Sequence, residues 1–191
     1  MRYRGYGSSG FGIVGYVIIT CVVIFIATLI SPRLVSVLEF YPPLFAQRPW
    51  TIVTSLFTHY DFFHIFFNML VLYFFGGFLV SLVGDRWFLA IYLLGGIAGN
   101  LFFWSLGYGA VLGASGAIFA VEGTLVIMRP RLQVYIFPIP AAIPLWVAVI
   151  GAFLLTYFAG GNIAWQAHLG GLFFGLLAGL YFRFRETRRF F

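Results

Sequence analysis

The sequence predicts an all-α membrane protein, a bundle of six transmembrane helices whose short fourth helix begins mid-membrane. Three observations carry that expectation. Of 191 residues, 62% are hydrophobic and only 8% are charged, against about 25% charged in soluble domains. Leucine, isoleucine and phenylalanine fall in long blocks broken by Gly, Pro and Arg, whereas barrel strands would be shorter and strictly alternating. The run Ser115 to Met128 covers about 20 Å at roughly 1.5 Å per residue, against a hydrocarbon core of about 30 Å. If its inner end lies at one membrane surface, Ser115 sits roughly 10 Å below the other.

The net charge of +6 does not point to nucleic acid, because the arginines are sorted by position. Arg2, Arg4, Arg86, Arg129, Arg131, Arg183, Arg185, Arg188 and Arg189 fall at ends that an even helix count places on one side, and only Arg33 and Arg48 on the other. That asymmetry predicts cytoplasmic N and C termini in a multi-pass protein of the cell membrane, with basic tails touching anionic lipid headgroups. Cys21 stands alone in the first apolar block, which excludes a disulfide framework or thiolate metal site and suits packing.

Residues 1–12, MRYRGYGSSGFG, read as a flexible basic tail rich in Gly and Ser. Helix 1 is expected at 13–30, an uncleaved anchor lacking a small-x-small cleavage site and ending at Ser31-Pro32-Arg33. Residues 32–60 interleave Phe40, Tyr41, Leu44, Phe45, Trp50 and Phe57 with Pro and Arg, so an interfacial structure lying partly in the bilayer is expected. Asp61 or a neighbour caps helix 2, at 62–83. Gly84-Asp85-Arg86 is a tight inner turn before helix 3, at 87–104. The segment 105–114 carries Gly107, Gly109 and Gly113 and is expected to descend as irregular backbone, which membrane depth tolerates only beside protein or a watery cavity. Helix 4 covers 115–128, Arg129-Pro-Arg131 marks the inner surface, and 132–140 reads as an interfacial linker. Helix 5 covers 143–158, Gly160-Gly161 turns outside, helix 6 covers 165–182, and a basic tail occupies 186–191. Residues 13–185 make one membrane domain.

Polar groups inside such a bundle each ask for an explanation. His64 and Asn68, at i and i+4, share one face of helix 2 in its first outer turns. His168 lies near the outer end of helix 6, and Ser115 lies at a similar depth. Acyl transfer needs a hydroxyl, a base to take its proton, and donors aimed at the developing oxyanion. Ser115 can be the nucleophile and His168 the base, with His64, Asn68 and the Ser115 backbone N–H as donors. Asp61 is the one carboxylate near that level, so a dyad rather than a triad is expected. Taken singly, each residue has a plainer reading: a glycine-flanked serine suits close helix packing, and a membrane histidine suits an interhelical hydrogen bond. A zinc site of His59, His64 and His168 lacks the HExxH pattern, so no metal or cofactor is expected. Glu122, two turns below Ser115, reads as a structural hydrogen bond to a neighbouring helix, and Asn100 reads as packing.

The strings His64-Ile-Phe-Phe-Asn68, Gly113-Ala-Ser115-Gly116 and Ala167-His168-Leu-Gly-Gly171-Leu-Phe-Phe-Gly175, in this order, resemble those of the rhomboid intramembrane serine proteases of the prokaryotic six-helix type. The resemblance covers nearly the whole chain after the first dozen residues. It implies that Ser115 is the nucleophile and His168 its general base, with His64, Asn68 and the Ser115 amide holding the oxyanion. It implies further that Gly116, Gly171 and Gly175 let helices 4 and 6 approach, that Phe119 stacks on the catalytic imidazole, and that His59 matches a loop histidine before helix 2. Trp50 matches the Trp of a Trp-Arg pair, but Thr51 stands where the family usually has Arg, and Arg48 is a nearby substitute. The expected activity is endoproteolysis of transmembrane segments near the outer face, through an acyl-enzyme on Ser115. Its partners are transmembrane-helix protein substrates and the lipid bilayer, not nucleic acid. Two rivals stay open: an inactive binder or chaperone of the same fold, and a small transporter using Glu122, although no inverted repeat is visible.

Overall fold

The computed structural model describes residues 12–136, 138, 140–158 and 163–187. The tail expected at 1–12, apart from Gly12, the Gly160-Gly161 turn and residues 188–191 lie outside the described residues. The chain is an all-α membrane bundle. Four of its helical runs are long and apolar enough to cross a membrane by length and composition: Ile13–Ile30, Phe62–Val83, Asp85–Leu106 and Trp165–Thr187, joined by the shorter apolar helices Ser115–Met128 and Leu145–Phe158.

Helix α1 (Ile13–Ile30) buries Val14, Val17, Cys21, Phe25 and Thr28, a stripe at steps of three and four that sets one face against the bundle. Helix α2 (Arg33–Leu38), a 3-10 turn at Pro42–Leu44, helix α3 (Thr51–Thr54) and a second 3-10 turn at Ser55–Phe57 build the long first connection. Arg48 Nη1 donates to Ser36 O at 2.7 Å and Trp50 Nε1 to Val37 O at 3.2 Å. Arg48 thus ties its guanidinium to the backbone of α2. Thr51 is buried and donates its hydroxyl to Arg48 O.

Helix α4 (Phe62–Val71) is capped by Asp61, whose Oδ1 accepts from His64 N at 2.8 Å. A π-helical turn at Leu72–Gly76 joins it to α5 (Gly77–Val83), so the span expected at 62–83 is one run with a bulge rather than a uniform helix. Gly84, at φ 84, makes the whole turn, because Asp85 and Arg86 already belong to α6 (Asp85–Leu106). That helix is longer at both ends than expected, the acidic Asp85 favouring its N-terminus.

Helix α7 (Ser115–Met128) is the centre, with every residue from Gly116 to Leu125 buried. A helix apolar on all sides is stable only when surrounded. Helix α9 (Trp165–Thr187) lays Gly170, Gly171, Gly175 and Gly179 into the interior. A Cβ at Gly171 would collide with Gly116 O and one at Gly175 with Ala120 O, so the two backbones touch where dispersion and close packing hold membrane helices together. Thr124 Oγ1, 2.8 Å from Ala120 O and 3.1 Å from Gly175 O, adds a polar tie.

Three expectations are corrected. Residues 132–140 are not simply a linker, since β1 (Gln133–Val134) pairs antiparallel with β2 (Ile143–Pro144). Helix α8 therefore starts at Leu145, not 143, and runs to Phe158. The sixth helix continues past 182 to Thr187, so the start of the expected tail is helical. Arg129 holds it there by a bidentate pair with Glu186 at 2.8 and 2.9 Å.

Candidate active site

The segment between α6 and α7 leaves helical geometry at Gly107, and its inward backbone is tied to the first connection. Phe40 and Val111 exchange two hydrogen bonds at 2.9 Å, and Gly113 N donates to Ser55 O at 2.9 Å. Ala114 N donates to His59 Nε2 at 3.4 Å. Asn100 Nδ2 in turn reaches Ile52 O and Ser55 Oγ, both at 2.9 Å. Irregular backbone is tolerable here because protein groups pair it. These ties bring Ser115 to the first position of α7, where its N–H has no partner in the helix ladder.

Ser115 Oγ lies 2.7 Å from His168 Nε2, bridging α7 and α9. The imidazole is buried and held on its face by Phe119, with ring centroids 4.9 Å apart and 28° between planes. Phe119 meets Phe153 of α8 edge-on at 6.3 Å. On the far edge of the imidazole, Nδ1 is 3.1 Å from Thr156 Oγ1. Thr156 is invisible to sequence reasoning, one hydroxyl in an apolar helix without a stripe to say which way it faces.

His64 approaches from α4. Gly113, at φ 122, is in a region closed to most L residues, and a Cβ there would sit 2.7 Å from His64 Nε2 and 3.7 Å from Ser115 Oγ. A histidine nitrogen and the serine hydroxyl therefore both lie close to the backbone at Gly113. Asn68 is buried and donates one amide N–H to His64 O at 2.7 Å. His59 lies behind them, its ring edge-on to His64 at 5.1 Å. Burial first, and then the neighbouring His64, push its imidazole down to about 3, so it is neutral and accepts from Ala114 N.

Other expectations fare differently. Gly116 faces Ala167 O, 3.2 Å from where a Cβ would be, and Gly171 and Gly175 line the same seam. Glu122 is buried, yet among the described residues nothing hydrogen-bonds to its carboxyl, against the expected tie to a neighbouring helix. Asn100 does more than pack, since it anchors α3 and Ser55. No group of three His, Cys, Asp or Glu able to hold a metal ion is found among the described residues.

The membrane helix bundle thus presents a hydroxyl to a buried imidazole, with a second histidine close against the backbone just before that hydroxyl. Residues 46–185 match the Rhomboid domain family model, and the chain belongs to the rhomboid family. It is 37% identical over 145 residues to Rhomboid protein 1, mitochondrial, of Saccharomyces cerevisiae, covering 69% of this chain and 41% of that protein. It is 35% identical to RHOMBOID-like protein 12, mitochondrial, of Arabidopsis thaliana, covering 65% and 44%. Presenilin-associated rhomboid-like protein, mitochondrial, of Homo sapiens is 33% identical, with 64% and 35% covered. The alignments span less than half the length of these relatives.

Proposed function

We propose that this protein is an intramembrane serine endopeptidase that cleaves transmembrane segments of other membrane proteins through an acyl-enzyme on Ser115. The observation that carries the reading is the 2.7 Å contact between Ser115 Oγ and His168 Nε2. As Oγ attacks the scissile carbonyl, its proton passes to Nε2, and the carbonyl π electrons move onto oxygen. That oxyanion would form beside Gly113, with His64 Nε2, the Ser115 N–H and the second N–H of Asn68 as donors. Collapse of the tetrahedral intermediate expels the amine, which takes the proton back from His168. Water then attacks the acyl carbonyl while Nε2 takes one of its protons, and collapse of this second intermediate releases the acid as Ser115 Oγ takes that proton back from Nε2.

His59 supports this arrangement by accepting from Ala114 N, which holds the backbone immediately before the nucleophile. Gly113, Gly116, Gly171 and Gly175 keep open the approaches on which the contact depends, and Phe119 limits the imidazole's rotation. A substrate helix has to unwind to offer a carbonyl, so cleavage is expected next to small or helix-breaking residues near the outer face. Residues 13–185 act as one membrane domain. The arginine distribution supports termini on the cytoplasmic side of a cell membrane, whereas the relatives cited are named mitochondrial. Fractionation and terminal-tag accessibility distinguish these.

Purified protein and its Ser115→Ala form, incubated with a model transmembrane substrate, test the proposal. Cleavage by the first and none by the second is expected. No cleavage by either, or equal cleavage by both, would overturn the reading.

A further inference from the structure

We propose that Thr156 is a positioning residue that fixes the tautomer of His168, making Nε2 the proton acceptor for Ser115; this rests on the hydrolase reading above. Three contacts run in line: Ser115 Oγ to His168 Nε2 at 2.7 Å, His168 Nδ1 to Thr156 Oγ1 at 3.1 Å, and Thr156 Oγ1 to Phe153 O at 2.8 Å. A carbonyl oxygen only accepts, so the one Thr156 proton is directed to Phe153 O. The Thr156 oxygen must then accept from Nδ1–H. A neutral imidazole protonated on Nδ1 carries its lone pair on Nε2, and Ser115 donates to it.

No other assignment for a neutral ring fills all three contacts. Were Thr156 to donate to Nδ1, Nε2 would hold the proton and point it at Ser115 Oγ, leaving no base for the serine and breaking the hydroxyl's bond to Phe153 O. Once Ser115's O–H bond breaks and an N–H bond forms on Nε2, the resulting imidazolium still donates from Nδ1 to the same oxygen. The chain therefore serves both charge states without turning the ring. His168 is 5% exposed, so water is a poor substitute, and a buried N–H left unpaired is unfavourable. Phe119 holds the ring's face from α7 while Thr156 holds its edge from α8.

The test uses the full chain in bicelles, with 15N-labelled histidine and a His168→Ala form to assign signals, alongside Thr156→Val and Thr156→Ser. In the unaltered protein His168 should be protonated on Nδ1 and bare on Nε2. Thr156→Val should give mixed or Nε2–H tautomers, and kcat for a model transmembrane substrate should fall about tenfold with KM unchanged. Thr156→Ser should restore both. Two results overturn the proposal: Nε2 protonated in the unaltered protein, or Thr156→Val keeping the pure Nδ1–H form whatever its activity. If nothing is cleaved, the protease reading falls, and the tautomer signals still decide this one.

Discussion

The site is held by two unlike walls. Helices α7 and α9 meet through glycines so closely that Gly116 O and Ala120 O occupy the places of side chains on the facing helix. Helix α8, apolar almost throughout, buries only Leu145 and Val149, and leaves Leu155 and Phe158 about three-quarters exposed. It meets the site through Thr156 and Phe153. The comparison teaches that the distance between hydroxyl and imidazole is set by backbone contact along one seam, which tolerates no added atom. The orientation of the ring is set by the Thr156 hydroxyl of α8 at its edge and by Phe119 of α7, backed by Phe153, on its face, groups that can be altered one at a time.

Breaking the seam should have the largest effect. Gly171→Leu forces a side chain against Gly116 O, and overpacking with backbone as the obstacle is expected to destabilise by about 3 kcal/mol or more. Thermal unfolding in detergent should show a large drop in midpoint, with cleavage lost. Val149→Ala on α8 should lower the same midpoint only slightly, about 1 kcal/mol. Comparable losses at the two positions would erase the contrast. Next comes the ring's face: Phe119→Leu removes the stack on His168, and kcat should fall about two- to tenfold, measured with stability unchanged within error.

The loop behind the donors should respond to pH. His59 has its ordinary value near 6.5 when unfolded and about 3 when folded, so between those values the unfolded chain binds more protons. Stability from this group is complete above pH 6.5 and is lost as pH falls towards 3, at up to about 1.4 kcal/mol per pH unit. Melting at pH 7 and pH 4.5 should differ, and His59→Gln should flatten the difference. The smallest effect is expected at the inner end. Arg129 and Glu186 side chains are 34% and 39% exposed, so Glu186→Gln should change stability by about 1 kcal/mol or less. Salt titration of the melting midpoint checks this.

The sequence made some of this legible and hid the rest for physical reasons. His64, Asn68, Ser115 and His168 stood out because polar groups are scarce in a chain this apolar, so few residues compete for the chemistry. Asp61 as a cap followed from its place before an apolar run. Thr156 did not stand out, since α8 is apolar all round and periodicity could not say which face meets His168. The π turn at Leu72–Gly76 left no mark, because Leu, Tyr and Phe fit either helix geometry. The strands Gln133–Val134 and Ile143–Pro144 are too short for alternation to register. Arg183 and Arg185 read as lying past the helix end and Glu186 as the start of a tail, because charge reads as an ending, when Glu186 is instead the partner that carries α9 beyond the membrane-spanning pattern. Arg48's anchoring role depends on the fold of α2, which no local motif announces.

In the proposed protease, Ser115 is a nucleophile made reactive by His168. Labelling the purified protein with a fluorophosphonate probe, followed by peptide mapping, tests this without a substrate. A single adduct on the Ser115 hydroxyl is expected, absent in Ser115→Ala and strongly slowed in His168→Ala. An unlabelled Ser115 in folded protein, or labelling at the same rate without His168, would contradict it.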